Sequence, residues 1–274
     1  MPQNSFDPVK CTRCMICTDL CPTRIIRKNV ETGFPHIAAH LVTLCTRCGH
    51  CEAACPENAV TIDHPSLKNV PKISSECDIT PAQLAAYCFK RRSIRKFQPQ
   101  PVDRPILDDL FDIVRYAPSG INRQPVKWIV VHDTAKVRQL ANAVMAWMDE
   151  ADRGKSLIAA RMNFSYLLQS WREGNDPICR NAPHLAVACC KSGDRMGEGD
   201  AVIALSHLEL AAPAFGLGAC WAGYFRLAAS ASPAVKEVLG LPADQEVSGT
   251  MMLGYPATRF YRIPKRNFAS ITWK

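Results

Sequence analysis

The sequence predicts an α+β fold in two domains, on three observations. A cysteine motif is written twice between residues 11 and 56 and needs only a small domain around it. About 200 residues follow, enough to bury one further core in a chain that is 47% hydrophobic. Across those residues helical and strand periods follow one another, while the most apolar stretch, 201–225, is interrupted by His207, Glu209, Pro213 and glycines, which argues against a membrane span. The domains are placed at 1–64 and 80–274, with a linker at 65–79.

The motif reads Cys11, Cys14, Cys17, Cys21-Pro22, then Cys45, Cys48, Cys51, Cys55-Pro56, with the spacing C-x2-C-x2-C-x3-C-P repeated at a period of 34 residues. Three cysteines two residues apart can wrap three irons of one cube, while the fourth, on a rigid Cys-Pro turn, reaches to the other cube. The expected ligand sets therefore cross: Cys11, Cys14, Cys17 and Cys55 on one 4Fe-4S cluster, and Cys45, Cys48, Cys51 and Cys21 on the other. The competing zinc ribbon needs two C-x2-C pairs and has no use for a third cysteine at that spacing or for the prolines. Residues 5–64 resemble a bacterial two-cluster ferredoxin, with 56–63 as its closing strand.

Clusters need a reducing compartment, so a cytoplasmic location is expected, and the start of the chain has no basic region followed by an apolar run. The six remaining cysteines, Cys77, Cys88, Cys179, Cys189, Cys190 and Cys220, share no ligand spacing and are expected to be small core residues. The net charge is +8, yet residues 1–64 hold six Lys/Arg against six Asp/Glu, so the whole excess belongs to the rest of the chain. No nucleic-acid motif accompanies it, and an anionic cofactor is the expected partner.

Residues 65–79 contain two prolines and no sustained period, as a linker should. Thr80-Pro81-Ala82-Gln83 supplies an N-cap, a proline at the first helical position and a Gln three residues on, predicting a helix with Leu84, Tyr87 and Cys88 as its apolar stripe. A second helix is predicted at 103–117, with Ile106, Leu110, Ile113, Val114 and Ala117 on one face. The β-branched run 126–132 reads as a central strand. Thr134 is expected to cap a third helix carrying Val137, Leu140, Ala141, Val144 and Met148. Residues 155–171 read as a further helix and the expected substrate wall, and 183–190 as a short buried strand. Residues 199–217 read as a long helix, apolar nearly all round, that must be buried on most sides, by its own domain or by another subunit. Strands are predicted at 220–224 and 247–254, with a short helix at 231–239 between them. The arginine-, aromatic- and proline-rich 255–274 reads as an extended arm.

Three places in the second domain carry chemistry, each weak alone. The cluster Arg91-Arg92-Ser93-Ile94-Arg95 is either a solvated face or a phosphate grip, since guanidinium forks and a hydroxyl supply convergent donors. The loop Ala117-Pro118-Ser119-Gly120-Ile121-Asn122-Arg123-Gln124-Pro125 is either a polar turn or a flavin contact, because Asn122 and Gln124 offer the donors and acceptors that a pyrimidine edge requires. Gly216-Leu217-Gly218 follows a helix and reads as its C-cap rather than as a phosphate loop, and no Rossmann fingerprint is present.

In this order, with Met252-Leu253-Gly254-Tyr255-Pro256, these pieces resemble the nitroreductase family of FMN enzymes over residues 80–264. The resemblance implies a three-layer α/β/α domain that forms a homodimer with FMN at the subunit interface. It places Arg91, Arg92, Ser93 and Arg95 on the phosphate, ribityl and pyrimidine side. Pro118, Ser119, Asn122 and Gln124 fall on the isoalloxazine, the backbone N–H groups of Ala222 and Gly223 near N5, and Arg262 on the phosphate. Ala222 stands where the family often has an acidic residue, and Val126 where Trp often follows Pro125. His207 and Glu209 are read as satisfied polar groups of an interface helix.

The implied function is an iron-sulfur flavoprotein oxidoreductase. A low-potential donor (a ferredoxin or flavodoxin, or NAD(P)H) feeds two clusters, which can reach about −400 mV. These reduce FMN, which reduces a small conjugated acceptor such as a nitroaromatic or quinone. The flavin carries the chemistry, so no catalytic side chain is singled out. Two rival readings are an electron-transfer module for a protein partner, and a different FMN reaction such as reductive dehalogenation or a dehydrogenation with electrons leaving through the clusters.

Overall fold

The computed structural model describes residues 4–62, 73 and 78–274, so the linker expected at 65–79 and Cys77 lie almost wholly outside the described residues. The chain divides into two compact units, one of Met1–Asp78 with Ile121–Arg123 and one of Ile79–Gly120 with Gln124–Lys274.

In the first unit β1 (Ser5–Phe6) pairs antiparallel with β4 (Val60–Thr61). Between them lie α1 (Ile16–Leu20), the hairpin of β2 (Ile26–Lys28) and β3 (Pro35–Ile37), a 3-10 segment Ala39–Leu44, and α2 (His50–Ala53). The sequence repeat is also a conformational one. Arg13, Met15 and Arg24 have left-handed backbones (φ 60°, 62° and 52°), and so do their counterparts 34 positions on, Arg47, Gly49 and Asn58 (φ 52°, 73° and 49°). The two cysteine loops therefore follow the same backbone path at matching positions. Ile25, Ile26, Val60 and Ile62 are buried together with Cys17 and Cys51.

The second unit is built on four strands, β5 (Lys127–Val131), β6 (His184–Lys191), β7 (Gly218–Trp221) and β8 (Gln245–Gly254), in the order β5-β6-β8-β7 with every pairing antiparallel. Strand alternation sends Leu185, Val187 and Cys189 to one face of β6 and Ala186, Ala188 and Cys190 to the other. Both faces are covered. α5 (Thr134–Arg153), α6 (Leu157–Met162), α7 (Phe164–Arg172), α9 (Gly223–Ala231) and α10 (Pro233–Leu239) pack on the first, and α4 (Arg104–Val114) and α8 (Arg195–Ala211) on the second. A sheet buried on both sides explains why β6 reads as one apolar run. This is the three-layer α/β/α domain. No helix among the described residues is long and apolar enough to cross a membrane.

Several local expectations change. The 126–132 run is an edge strand, because among the described residues only β6 pairs with it. Asp133, not Thr134, caps α5: its carboxylate accepts from Ala135 N at 2.8 Å, while Thr134 Oγ1 donates to Pro183 O. The 155–171 segment breaks at Asn163, whose left-handed backbone (φ 54°) separates α6 from α7. The long helix ends at Ala211, where Pro213 forces a 3-10 turn, Ala212–Phe215, closed by left-handed Gly216. Within the single chain its Val202, Ile203 and Leu210 are exposed, so any burial of that face is left to another subunit. Tyr224 belongs to α9, not to a strand. In α4 the buried stripe is Leu107, Leu110 and Val114, with Ile113 outside.

Helix α3 (Pro81–Lys90) has the expected capping box, with Gln83 N donating to Thr80 Oγ1 and Thr80 N donating to Gln83 Oε1. Its expected stripe does not pack: α3 buries no residue, and Leu84 and Cys88 are exposed. Cys179, Cys189, Cys190 and Cys220 are buried as expected.

Candidate functional site

The first unit contains two cavities. One is lined by Cys21, Cys45, Cys48 and Cys51 under Ile25, Ile26, Ile37 and Ile62. The other is lined by Cys11, Cys14, Cys17 and Cys55 beside Met15 and Pro35. Each set takes three thiols from one loop and the fourth from the other. Among the described residues no three His, Cys, Asp or Glu side chains form a single-ion site. Four thiols ringing a cavity suit a multi-atom cluster, whereas one zinc ion needs its ligands converged on a point.

Several sulfurs already have donors. Arg13 N donates to Cys11 Sγ (3.4 Å), Ala59 N to Cys55 Sγ (3.2 Å) and Asn4 Nδ2 to Cys45 Sγ (3.3 Å). Burial pushes the Cys51 thiol up to about 11 and raises Cys17. At Cys21 burial also acts upward, but the Thr23 hydroxyl and the nearby N–H groups of Ile26, Ile25 and Thr23 outweigh it and lower the thiol. A thiolate is the ligand form, so the charge of a bound metal must offset that burial.

In the second unit Arg91 to Phe97 crosses the end of the sheet as an extended segment. Ser93 bridges Ala219 in parallel register, Ile94 N donates to Ala219 O at 2.9 Å, and Phe97 bridges Pro256. Gly218 permits this approach, since a Cβ there would stand 2.4 Å from Ile94 Cγ1 and 2.8 Å from its Cβ. The basic cluster and the Gly216-Leu217-Gly218 turn are thus brought together.

Two groups in this cluster bear on an anionic ligand. Arg92 directs Nη1 to Arg91 O and Nη2 to Phe89 O, while its buried Nε meets no acceptor among the described residues. Loss of hydration, and then the charges of Arg266 and Arg91, lower the Arg92 pKa. A buried guanidinium donor without an acceptor, among like charges, fits a phosphate. Arg91 donates Nη1 to Glu209 Oε1 at 2.6 Å. Arg95 is exposed, and so is Arg262; it is Arg266 of the same arm whose charge reaches Arg92.

The 118–124 loop is tightly wound. Ile121, Asn122 and Gln124 have positive φ (47°, 55° and 47°), Gln124 N donates to Ser119 Oγ at 2.9 Å, and Gly120 N donates to Asp200 Oδ1 at 2.9 Å. A β-branched residue at positive φ is strained, and such strain collects at ligand-binding loops. Pro118 is exposed and Ser119 half-buried. Asn122 groups with the first unit, where Nδ2 donates to Thr46 O and Arg47 O.

The Ala222 N–H differs from expectation. It donates to Thr250 O at 3.0 Å, and Thr250 Oγ1 returns a bond to Ala222 O, so this peptide is part of the sheet. Gly223 opens α9, where the first-turn N–H groups have no intrahelical acceptor, and it is exposed. Asp200, Glu209 and Arg266 are the charged residues beside these groups that sequence reasoning passed over. A carboxylate inside the apolar helix α8 was the available signal for the first two.

The chain matches the models of the nitroreductase family over residues 89–255 and of a 4Fe-4S dicluster domain over residues 10–77. An NADH dehydrogenase of Thermus thermophilus is 30% identical over 184 residues, covering 63% of this chain and 86% of that protein. An FMN reductase (NAD(P)H) of Bacillus subtilis is 28% identical over 176 residues, covering 64% and 66%. Among solved structures, a nitroreductase with bound FMN from Bacteroides fragilis superimposes with a TM-score of 0.59 at 21% identity, over 69% of this chain and 97% of that one. One from Desulfitobacterium hafniense, also with bound FMN, gives 0.54 at 21% identity, over 68% and 97%. These two share the fold.

Proposed function

The chain belongs to the nitroreductase family of FMN-dependent oxidoreductases and carries a 4Fe-4S ferredoxin-type domain; from that premise we propose that a low-potential donor delivers electrons by way of two 4Fe-4S clusters and FMN to a small conjugated acceptor, a nitroaromatic or quinone. The observation that carries this reading is the pair of cavities, each ringed by one set of four thiols, in a chain whose other unit has the fold of an FMN enzyme. Bound FMN supplies both one-electron and hydride chemistry, so it can join single-electron carriers to a two-electron acceptor.

The chain's own residues hold and shield. Cys11, Cys14, Cys17 and Cys55 would ligate one cluster and Cys21, Cys45, Cys48 and Cys51 the other. Arg91, Arg92, Ser93 and Arg95 would hold the phosphate side of FMN, with Arg262 or Arg266 from the arm. Pro118, Ser119, Asn122 and Gln124 would line its ring, and at the Ala222–Gly223 turn the Gly223 N–H would face N5. No side-chain acid or base is required. Clusters and free thiols suit a reducing, cytoplasmic setting. The exposed Val202, Ile203 and Leu210 of α8 and Phe260, Tyr261, Phe268 and Trp273 of the arm support a homodimer in which a second copy covers them.

A second reading has its own support. The Thermus relative is named an NADH dehydrogenase and the Bacillus relative an FMN reductase (NAD(P)H), so hydride could enter directly at FMN and electrons leave through the clusters. Anaerobic turnover of a nitroaromatic separates the two. With reduced ferredoxin as donor, Cys14→Ala should abolish turnover while dithionite still bleaches the FMN. Full ferredoxin-driven activity in that variant would remove the clusters from the path. Turnover with NAD(P)H alone, unchanged in the variant, would reverse the proposed direction.

A further inference from the structure

We propose that Glu209 is a positioning residue for FMN: it fixes the Arg91 guanidinium and ties it to the strand that leads into Ala222 and Gly223. The inference rests on the FMN reading above. Glu209 Oε1 accepts from Arg91 Nη1 at 2.6 Å, and Oε2 accepts from Trp221 Nε1 at 3.3 Å. One carboxylate thus joins the end of α3 to the last residue of β7, and Trp221 is directly followed by the candidate N5 turn.

The packing around α3 shows why such a tie is needed. α3 buries no residue, so apolar contacts do not set where its C-terminal end points. Its position relative to α8 comes from polar contacts to one turn of that helix, Tyr87 Oη donating to Leu210 O at 2.6 Å and Arg91 pairing with Glu209. Beyond Arg91 the chain meets β7 at Ser93, which bridges Ala219, and at Ile94 N, which donates to Ala219 O.

Glu209 is also placed against its own local preference. It lies in the last turn of α8, which ends at Ala211, where the helix dipole disfavours a carboxylate. Its side chain is only 14% exposed and that of Arg91 27%, so their attraction is less screened than at an open surface. The guanidinium has five N–H donors, and the bond to Glu209 takes one, leaving a planar fork whose direction is set and whose remaining donors can meet an anion.

The test reads FMN release, not turnover. On dilution of the full-length holoprotein, the returning fluorescence of free FMN gives its dissociation constant. Glu209→Gln retains an acceptor for Trp221 but removes the charge opposite Arg91. It should raise that constant about tenfold, the size expected for one charge-assisted hydrogen bond. Arg91→Ala should raise it at least as much. In the Arg91→Ala background, Glu209→Gln should add nothing, because its effect acts through the arginine. An additive double variant would make Glu209 merely structural and overturn the inference. So would an unchanged constant in Glu209→Gln beside a weakened Arg91→Ala, and that result leaves the FMN site standing. If neither Arg91→Ala nor Arg92→Ala alters release, the FMN site itself is misplaced and the inference falls with it.

Discussion

In the first unit two of the candidate ligand cysteines are part of the core, Cys17 and Cys51 being buried among Ile25, Ile26, Val60 and Ile62. In the second unit every candidate FMN residue except Ala222 lies outside the two apolar clusters that sandwich the sheet. A small domain whose few buried residues include its metal ligands lacks a core independent of them, so ligand binding and folding are one equilibrium. A three-layer domain with both faces of its sheet covered can fold first and bind afterwards.

The largest expected effect therefore lies in the first unit. Replacing Cys51 by Ala should unfold the first unit and with it release both clusters, about eight irons and eight sulfides, while the main melting transition of the second stays in place. Stoichiometric zinc without sulfide in the wild type would overturn the cluster assignment. The converse break is Phe164→Ala. Phe164 is fully buried and meets the Trp147 ring edge-on at 5.5 Å. The variant should lose about 3–5 kcal/mol in denaturant unfolding of the second unit and keep its full iron content. A parallel loss of iron would show that the units do not fold independently.

Acid should sharpen the contrast. His184 is fully buried, its Nδ1 donating to His132 O (2.8 Å), its Nε2 accepting from Val102 N (2.7 Å), and its ring stacked on His132 at 4.5 Å. Burial, then the neighbouring His132, lower its pKa from 6.5 to about 4. The folded state favours the neutral ring, so this stabilisation is complete above pH 6.5 and is lost as pH falls towards 4, by about 3 kcal/mol in all. The unfolding midpoint of the second unit should drop across that window in the wild type and much less in His184→Gln. Equal slopes would assign the acid sensitivity elsewhere.

How much of this was legible in the sequence follows from how far apart the interacting residues are. The cysteine loops were readable because ligand spacing is local and written twice. The α3 capping box was readable for the same reason, since Thr80 and Gln83 meet across one turn. That α3 would leave its apolar stripe exposed was not, because burial depends on what packs opposite. β5 looked central from its β-branched residues, yet edge or centre is decided by partners supplied far along the chain. The Arg91–Glu209 pair spans 118 positions, and only the fold brings its members together. The Ala222 N–H could be assigned to a ligand only until the sheet was seen to use it.

The smallest expected effect compares the two cysteine loops at one atom's resolution. Met15 and Gly49 occupy the same place in the repeat, with φ 62° and 73°, each preceding a short helix. A side chain at that backbone angle is disfavoured by about 1–2 kcal/mol, and glycine is not. A Cβ on Gly49 would meet nothing within 4 Å, so Gly49→Ala isolates the backbone term and should destabilise the first unit by about 1 kcal/mol. Met15 accepts the same strain, and its side chain lines the cavity of Cys11, Cys14, Cys17 and Cys55. Met15→Gly should then relieve strain but uncover the cavity, giving a change in unfolding within about 1 kcal/mol together with faster bleaching of one cluster in air. Slower bleaching, or bleaching unchanged from the wild type, would mean that Met15 does not shield that cavity and that the two loops differ in side chain without differing in protection.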